Sequence, residues 1–290
     1  MTNALQERAM LVNLSISAWT ASKKDNKASD SVKSQAAANT KAGWFNKRLI
    51  DPTALQPLGK LEGRCRDMHY KFTLAWGDNG DRILPAAAYF DYTEQLRGLR
   101  AEYEAAVDQF CRDYPQLVQD ARLMLGTMYD PNDYPAVGSI KQRFGIRTVF
   151  TPVPDAEDFR VSVGAAAVEE IKKSITDSVN ARLVGATRDC WVRLEEAVKA
   201  IHERLSDPDA VFRDSLIENL SVLLDLLPKL NITGDQKLNQ VVKQCRDWLI
   251  TPPDNLRGRR NVAFRALTAE KAGEILKDIT PWTTTEPTTV

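Results

Sequence analysis

The sequence has 290 residues, of which 43% are apolar and 27% charged, a balance that supports a packed core and excludes wholesale disorder. Its 39 lysines and arginines equal its 39 aspartates and glutamates, so any attraction to nucleic acid or anionic lipid must come from local clustering. Cys65, Cys111, Cys190 and Cys245 stand too far apart for a C-x-x-C metal site and fit a reducing cytosol, no apolar run approaches the roughly 18 residues of a membrane span, and the N-terminus lacks the apolar core of a signal peptide.

In chain order, Val12, Leu14, Ile16 and Ala18 alternate with Asn13, Ser15 and Ser17, the period-two pattern of a strand with one buried face. From Thr20 to Lys41 large apolar residues are almost absent. Val32 alone cannot anchor a helix to a core, so an exposed helix or mobile arm is expected there. Leu55, Leu58, Leu61, Cys65 and Met68 recur at helical spacing, with an end near Tyr70. Phe72–Trp76 and Arg82–Leu84 flank Gly77-Asp78-Asn79-Gly80-Asp81, a β-hairpin signal, and Pro85 ends its second strand.

Leu96, Leu99, Tyr103, Ala106, Val107 and Phe110 form a helical stripe that Leu117, Ala121, Leu123 and Leu125 continue. Proline inside a helix costs about 3 kcal/mol, so a break is expected at Pro115, which would open a new first turn. Residues 130–136 read as a loop, and Thr148–Phe150 with Phe159–Val163 as two short strands of a second hairpin-like element. Apolar residues from Val168 to Leu205 then repeat without an intervening proline. That is one long helix, or two stacked end to end near Gly185. Asp207-Pro208 is expected to start the next helix, which ends near Pro228. Thr233 caps another, stopped by Pro252-Pro253, and Thr268 caps a last short helix to Ile279. The tail TPWTTTEPTTV reads as too polar to fold.

The expected fold is α+β and predominantly α. Residues 1–90 would form a small mixed part with a strand and a hairpin. Residues 91–279 would form an antiparallel helical bundle with a β insertion near 146–163, and residues 280–290 a disordered tail.

Phosphate-binding glycine loops, the nucleophile elbow and the H-E-x-x-H zinc motif are absent from the sequence. His69 and His202 are its only histidines and read as packing residues rather than ligands. Adjacent acids such as Glu169 and Glu170 point about 100° apart on a helix and do not share a site. Asp155, Glu157 and Asp158 with Asp130 and Asp133 would make a divalent-metal cluster only if their loops met, and turn chemistry explains the same residues. The chain is therefore expected to be non-enzymatic, with no cofactor and no metal.

Charge is uneven along the chain. Residues 1–75 hold 12 basic against 6 acidic side chains, whereas residues 76–240 hold 19 against 27. The basic surplus coincides with aromatic rings, the combination that stacks bases while neutralising phosphates. The candidate nucleic-acid contacts are Trp19, Lys23, Lys24, Lys27, Trp44, Lys47, Arg48, Arg64 and Arg66, joined by a second basic knot at Arg257, Arg259 and Arg260. The alternative is that the indoles are core residues and the lysines keep an arm soluble. The long amphipathic helix could also pack against a second copy, so a homo-oligomer is expected.

The blocks LVNLSISAWTASKKDNKAS, WFNKRL, HYKFTLAWGDNGDRILP, DYP at Asp133–Pro135 and FTPVPDAEDFRV resemble a family of functionally uncharacterised proteins of tailed bacteriophages. The resemblance implies a phage protein in the bacterial host cytoplasm that works in DNA metabolism or host takeover, with an AAA-type ATPase as one candidate partner class. It carries no catalytic residues. Trp19, Trp44, His69, Trp76, Asp78, Gly80, Arg82, Asp158 and Arg160 lie in the matching blocks. The expected function is single-strand binding in phage DNA metabolism. The alternative is an adaptor or inhibitor acting on a host protein or an ATPase in host takeover or counter-defence.

Overall fold

Apolar stripes at helical spacing dominate the chain, and the protein is accordingly α+β and mainly α. The computed structural model describes residues 3–159, 161, 164–207, 210–256 and 261–284. A short helix α1 (Asn3–Gln6) leads to strand β1 (Ala9–Ser17), strand β2 (Ser22–Asp25), helix α2 (Asn26–Gln35) and strand β3 (Phe45–Arg48). Helix α3 (Gln56–Phe72), strands β4 (Leu74–Ala75) and β5 (Asp81–Pro85), helix α4 (Tyr89–Leu125), the short helix α5 (Val137–Ile140) and strand β6 (Gly145–Pro152) follow. Helices α6 (Ala165–Ser206), α7 (Ser215–Leu230), α8 (Gln236–Leu249) and α9 (Val262–Thr284) complete the order. One sheet has the order β4-β5-β1-β6, and β2 and β3 form a separate two-stranded ribbon.

Two compact units divide the chain. One comprises Met1–Asn13, Tyr70–Tyr92 and Val149–Val290, the other Leu14–His69 and Thr93–Thr148.

In the first unit, β4 and β5 form the expected hairpin, with Leu74 opposite Ile83, and β5 pairs antiparallel with β1. Helix α6 runs unbroken through Gly185 for 42 residues. Ala186, Cys190, Leu194, Val198, Ile201 and Leu205 are buried along it, and at roughly 1.5–3 kcal/mol for each large side chain they far outweigh one exposed glycine at about 1 kcal/mol. The end of α6 is capped by Arg265 of α9, whose Nη2 donates to the carbonyls of Arg204, Asp207 and Ala210 at 3.3, 2.9 and 3.1 Å. The two helices approach closely at Gly273, where a Cβ would lie 3.2 Å from the Cε1 of His202, so a larger residue there would require the imidazole to shift by a few tenths of an ångström.

Several helix boundaries differ from expectation. Asp207 closes α6, and α7 begins only at Ser215 and runs to Leu230, past Pro228; Pro208 lies outside the described residues. Asp235, not Thr233, caps α8: its carboxylate accepts from the backbone N–H groups of both Lys237 and Leu238, which the Thr233 hydroxyl does not do. Helix α9 starts at Val262, so Thr268 lies inside it and donates to the Phe264 carbonyl. The same helix continues to Thr284, where the disordered tail was expected, because Trp282 stacks on Trp191 at 5.4 Å and Arg188 donates to the Thr283 carbonyl. Residues 285–290 lie outside the described residues. Between the two expected strands Ala156–Asp158 is a 3-10 turn, and Arg160, Ser162 and Val163, where the second strand was expected, lie outside the described residues.

In the second unit, Leu49, Ile50 and Leu58 pack with Tyr103, Val107, Phe110 and Tyr114 of α4 and with Ile140. Helix α4 does not break at Pro115. Phe110 and Tyr114 before the proline and Leu117 and Val118 after it belong to one core, so breaking the helix would cost more burial than the missing hydrogen bond.

Candidate nucleic-acid interface

Of the exposed helix or mobile arm expected from Thr20 to Lys41, the exposed helix forms, as α2, and a short ribbon anchors it. Ser22–Asp25 pairs antiparallel with Phe45–Arg48, with Ser22 opposite Arg48, Lys23 opposite Lys47, Lys24 opposite Asn46 and Asp25 opposite Phe45. Asp25 then caps α2, its carboxylate accepting from the Ala28 N–H at 2.9 Å. The buried Ser29 hydroxyl donates to the Asp25 carbonyl and accepts from the Phe45 N–H at 2.9 Å, tying helix to ribbon. Val32 does remain exposed, at 56%. Polar contacts hold the segment where apolar ones could not.

Alternation along a two-stranded ribbon sorts the basic residues onto two faces. Lys23, Lys47, Asp25 and Phe45 share one. On it, Lys47 is buried at 6% exposure, and its ammonium lies 2.6 Å from Asp133, 3.5 Å from Asp25 and 2.6 Å from the Met128 carbonyl. Lys23 pairs with the other Asp133 oxygen at 2.5 Å. Burial alone would push the Asp133 carboxyl up, but the hydrogen bonds and charges of Lys23 and Lys47 hold it below the usual range. Burial likewise opposes the charge on Lys47, and Asp133 and Asp25 outweigh it and raise its pKa. Asp25 is held low first by the Ala28 N–H. Lys47 is therefore a structural cation and not a surface contact.

The opposite face carries Arg48, Lys24 and, just before β3, Trp44, all exposed. Trp44 is 68% exposed, and the Lys24 ammonium stands over its ring, 5.9 Å from the centroid. Among the described residues no carboxylate lies within ion-pair distance of Lys24, Lys27, Lys41 or Arg48.

The remaining candidates separate from this face. Trp19 packs edge-on against Tyr114 at 5.6 Å and near Phe110 at 6.3 Å, so it is a core contact. Arg64 pairs with Glu102 at 2.5 Å, and Arg66 lies 3.7 Å from Glu62. Arg257, Arg259 and Arg260 lie outside the described residues. Of the positions in the resembling blocks, His69 and Trp76 are buried, and Arg82 donates to the Thr73 hydroxyl and carbonyl.

The acidic loops spend their carboxylates locally. Asp130 and Asp155 each accept from a backbone N–H two residues on, and Asp133 serves two lysines. Among the described residues no group of three or more His, Cys, Asp or Glu could hold a metal ion, and no helix is long and apolar enough to cross a membrane.

Residues 6–255 match the model of one protein family, described as "Protein of unknown function (DUF3150)". Neither a curated protein nor a solved structure matches the chain.

Proposed function

We propose that this chain, which belongs to the DUF3150 family of proteins of unknown function, is a non-enzymatic factor that binds single-stranded nucleic acid. The observation that supports the reading is the row of Arg48, Lys24 and Trp44 on one open face of the ribbon, with Lys27 and Lys41 near it in sequence and no acid paired to them among the described residues. Cations track a phosphate backbone, and an exposed indole stacks a base whatever its identity. The resemblance to tailed-phage proteins sets this activity in phage DNA metabolism in the bacterial cytoplasm, and self-association belongs to the same reading.

Titration of the protein with oligothymidylate, followed by tryptophan fluorescence at several salt concentrations, tests it. Three to five phosphates engaged on a single strand give log K a slope of about −2 to −3.5 against log salt. A flat response, or no quenching, overturns the reading. Capture of a specific host protein or ATPase after nuclease treatment would favour the adaptor role instead.

A further inference from the structure

Beside Trp44 a groove of about 270 Å3 opens between α2 and the segment that leads to β3. Val32, Ala36, Ala38 and Ala42 form its walls, with the rings of Trp44 and Phe45. It is smaller than the roughly 300–1,000 Å3 of a cleft for a drug-sized molecule, and fits one flat ring system. Its one hydroxyl, on Ser29, is already engaged as donor and acceptor, so the slot offers apolar surface and no polar group awaiting a partner.

The rim has the opposite character. Lys33 lies along the groove with its side chain only 18% exposed and its ammonium 3.9 Å from Asp30, Lys24 stands over the indole, and exposed Lys41 adjoins Ala42. The backbone is held in an unfavourable shape at the same place. Ala37 has φ 48, the left-handed region that favours glycine, where the N–H of Ala38 bonds the Lys33 carbonyl and that of Ala37 bonds the Ser34 carbonyl. The strained turn presents Ala36 and Ala38 as wall residues with nothing larger than a methyl group.

We propose that this groove receives one unpaired nucleobase, stacked on Trp44, while Lys24, Lys33 and Lys41 meet the phosphates on either side of it. The inference rests on the single-strand reading above and supplies its selectivity. A base inside a duplex is stacked on both faces and cannot enter, and a slot without open polar groups admits any base by its π-face. An aromatic floor ringed by cations fits a base between phosphates, so charge complementarity names the occupant.

The test compares the affinity of the whole protein for an oligothymidylate, for an oligomer of equal length with abasic residues, and for a duplex. Oligothymidylate should bind roughly tenfold or more tightly than the abasic strand, the span expected for one stacked base, and should quench Trp44. Ala38→Leu fills the slot and keeps every cation. It should bring oligothymidylate down to the affinity of the abasic strand and leave abasic binding and thermal stability unchanged. Equal affinity for the intact and abasic strands overturns the slot but not the single-strand reading; equal affinity for duplex and single strand overturns both. If neither strand binds, both fall. If neither binds and an acidic amphipathic peptide quenches Trp44, the occupant is a peptide, which also overturns the proposal.

Discussion

The Lys47 ammonium lies 2.6 Å from an Asp133 oxygen, and both side chains are almost sealed from solvent, at 7% and 4% exposure. This buried pair fastens the back of the β2–β3 ribbon and so frees the other face for contact. Removing one partner leaves the other buried with a single remaining counter-charge, Asp133 with Lys23 or Lys47 with Asp25, which costs about 1–3 kcal/mol. Lys47→Met and Asp133→Asn should each lower unfolding stability by that order, and the double variant by clearly less than their sum. Denaturant unfolding of all three checks it; additive losses would mean that the pair does not act as a unit.

The same cluster fixes a pH dependence. Asp133 and Asp25 titrate below their ordinary values in the folded protein, so their stabilisation is present above the ordinary carboxylate range and is lost as pH falls through the lowered values. Lys47 titrates above its ordinary value, so its contribution is complete below that value and is lost as pH rises through the raised one. From these groups, stability should be level between about pH 5 and 9 and decline outside. Thermal melts across pH, with Asp133→Asn flattening the acid limb, provide the measurement.

Ala37 sits in the left-handed region at the end of α2 and is exposed, so glycine there loses no packing. Ala37→Gly should stabilise the protein by about 0.5–1 kcal/mol. A higher melting temperature with unchanged oligonucleotide binding is the expected result. A lower one would mean that the turn is not strained.

Much of the fold was legible because burial follows period. The stripe from Val168 to Leu205 and the Asn-Gly hairpin needed only local spacing. The candidate site was half legible. Trp44 and Lys24 are exposed side by side, yet Lys47, next to exposed Arg48 in the same strand, is buried. Its fate depends on Asp133, far along the chain, and on the pairing of two four-residue strands. The Ser29 hydroxyl that anchors α2 is likewise a long-range polar contact that hydrophobic periodicity does not register.

At the other end of the chain, a threonine-rich tail was misleading for the same reason. Trp282 lies parallel to Trp191, at 10° between planes, and the Trp191 Nε1–H donates to the Asp235 carboxylate that caps α8. One stacked pair thus links the interior of α6 to the start of α8 and the end of α9. Trp282 is partly exposed, so Trp282→Ala should cost about 1–2 kcal/mol, less than a fully buried tryptophan. Near-ultraviolet circular dichroism should lose the coupled indole signal along with the stability. Retention of both would place Trp282 outside the cooperative unit.

Pro115 gives the opposite sign. It lies inside α4 on an exposed position, where it withholds the N–H that would bond the Cys111 carbonyl. The helix survives because Tyr114 beside it is sealed in the core and donates its hydroxyl to the Pro135 carbonyl at 3.0 Å. Alanine at this position restores the missing bond and removes the ring without emptying any packed space. Pro115→Ala should therefore raise stability by about 1–3 kcal/mol. Denaturant midpoints compare the two proteins at constant slope. A midpoint that does not rise would mean that the ring contributes packing worth as much as the hydrogen bond it excludes.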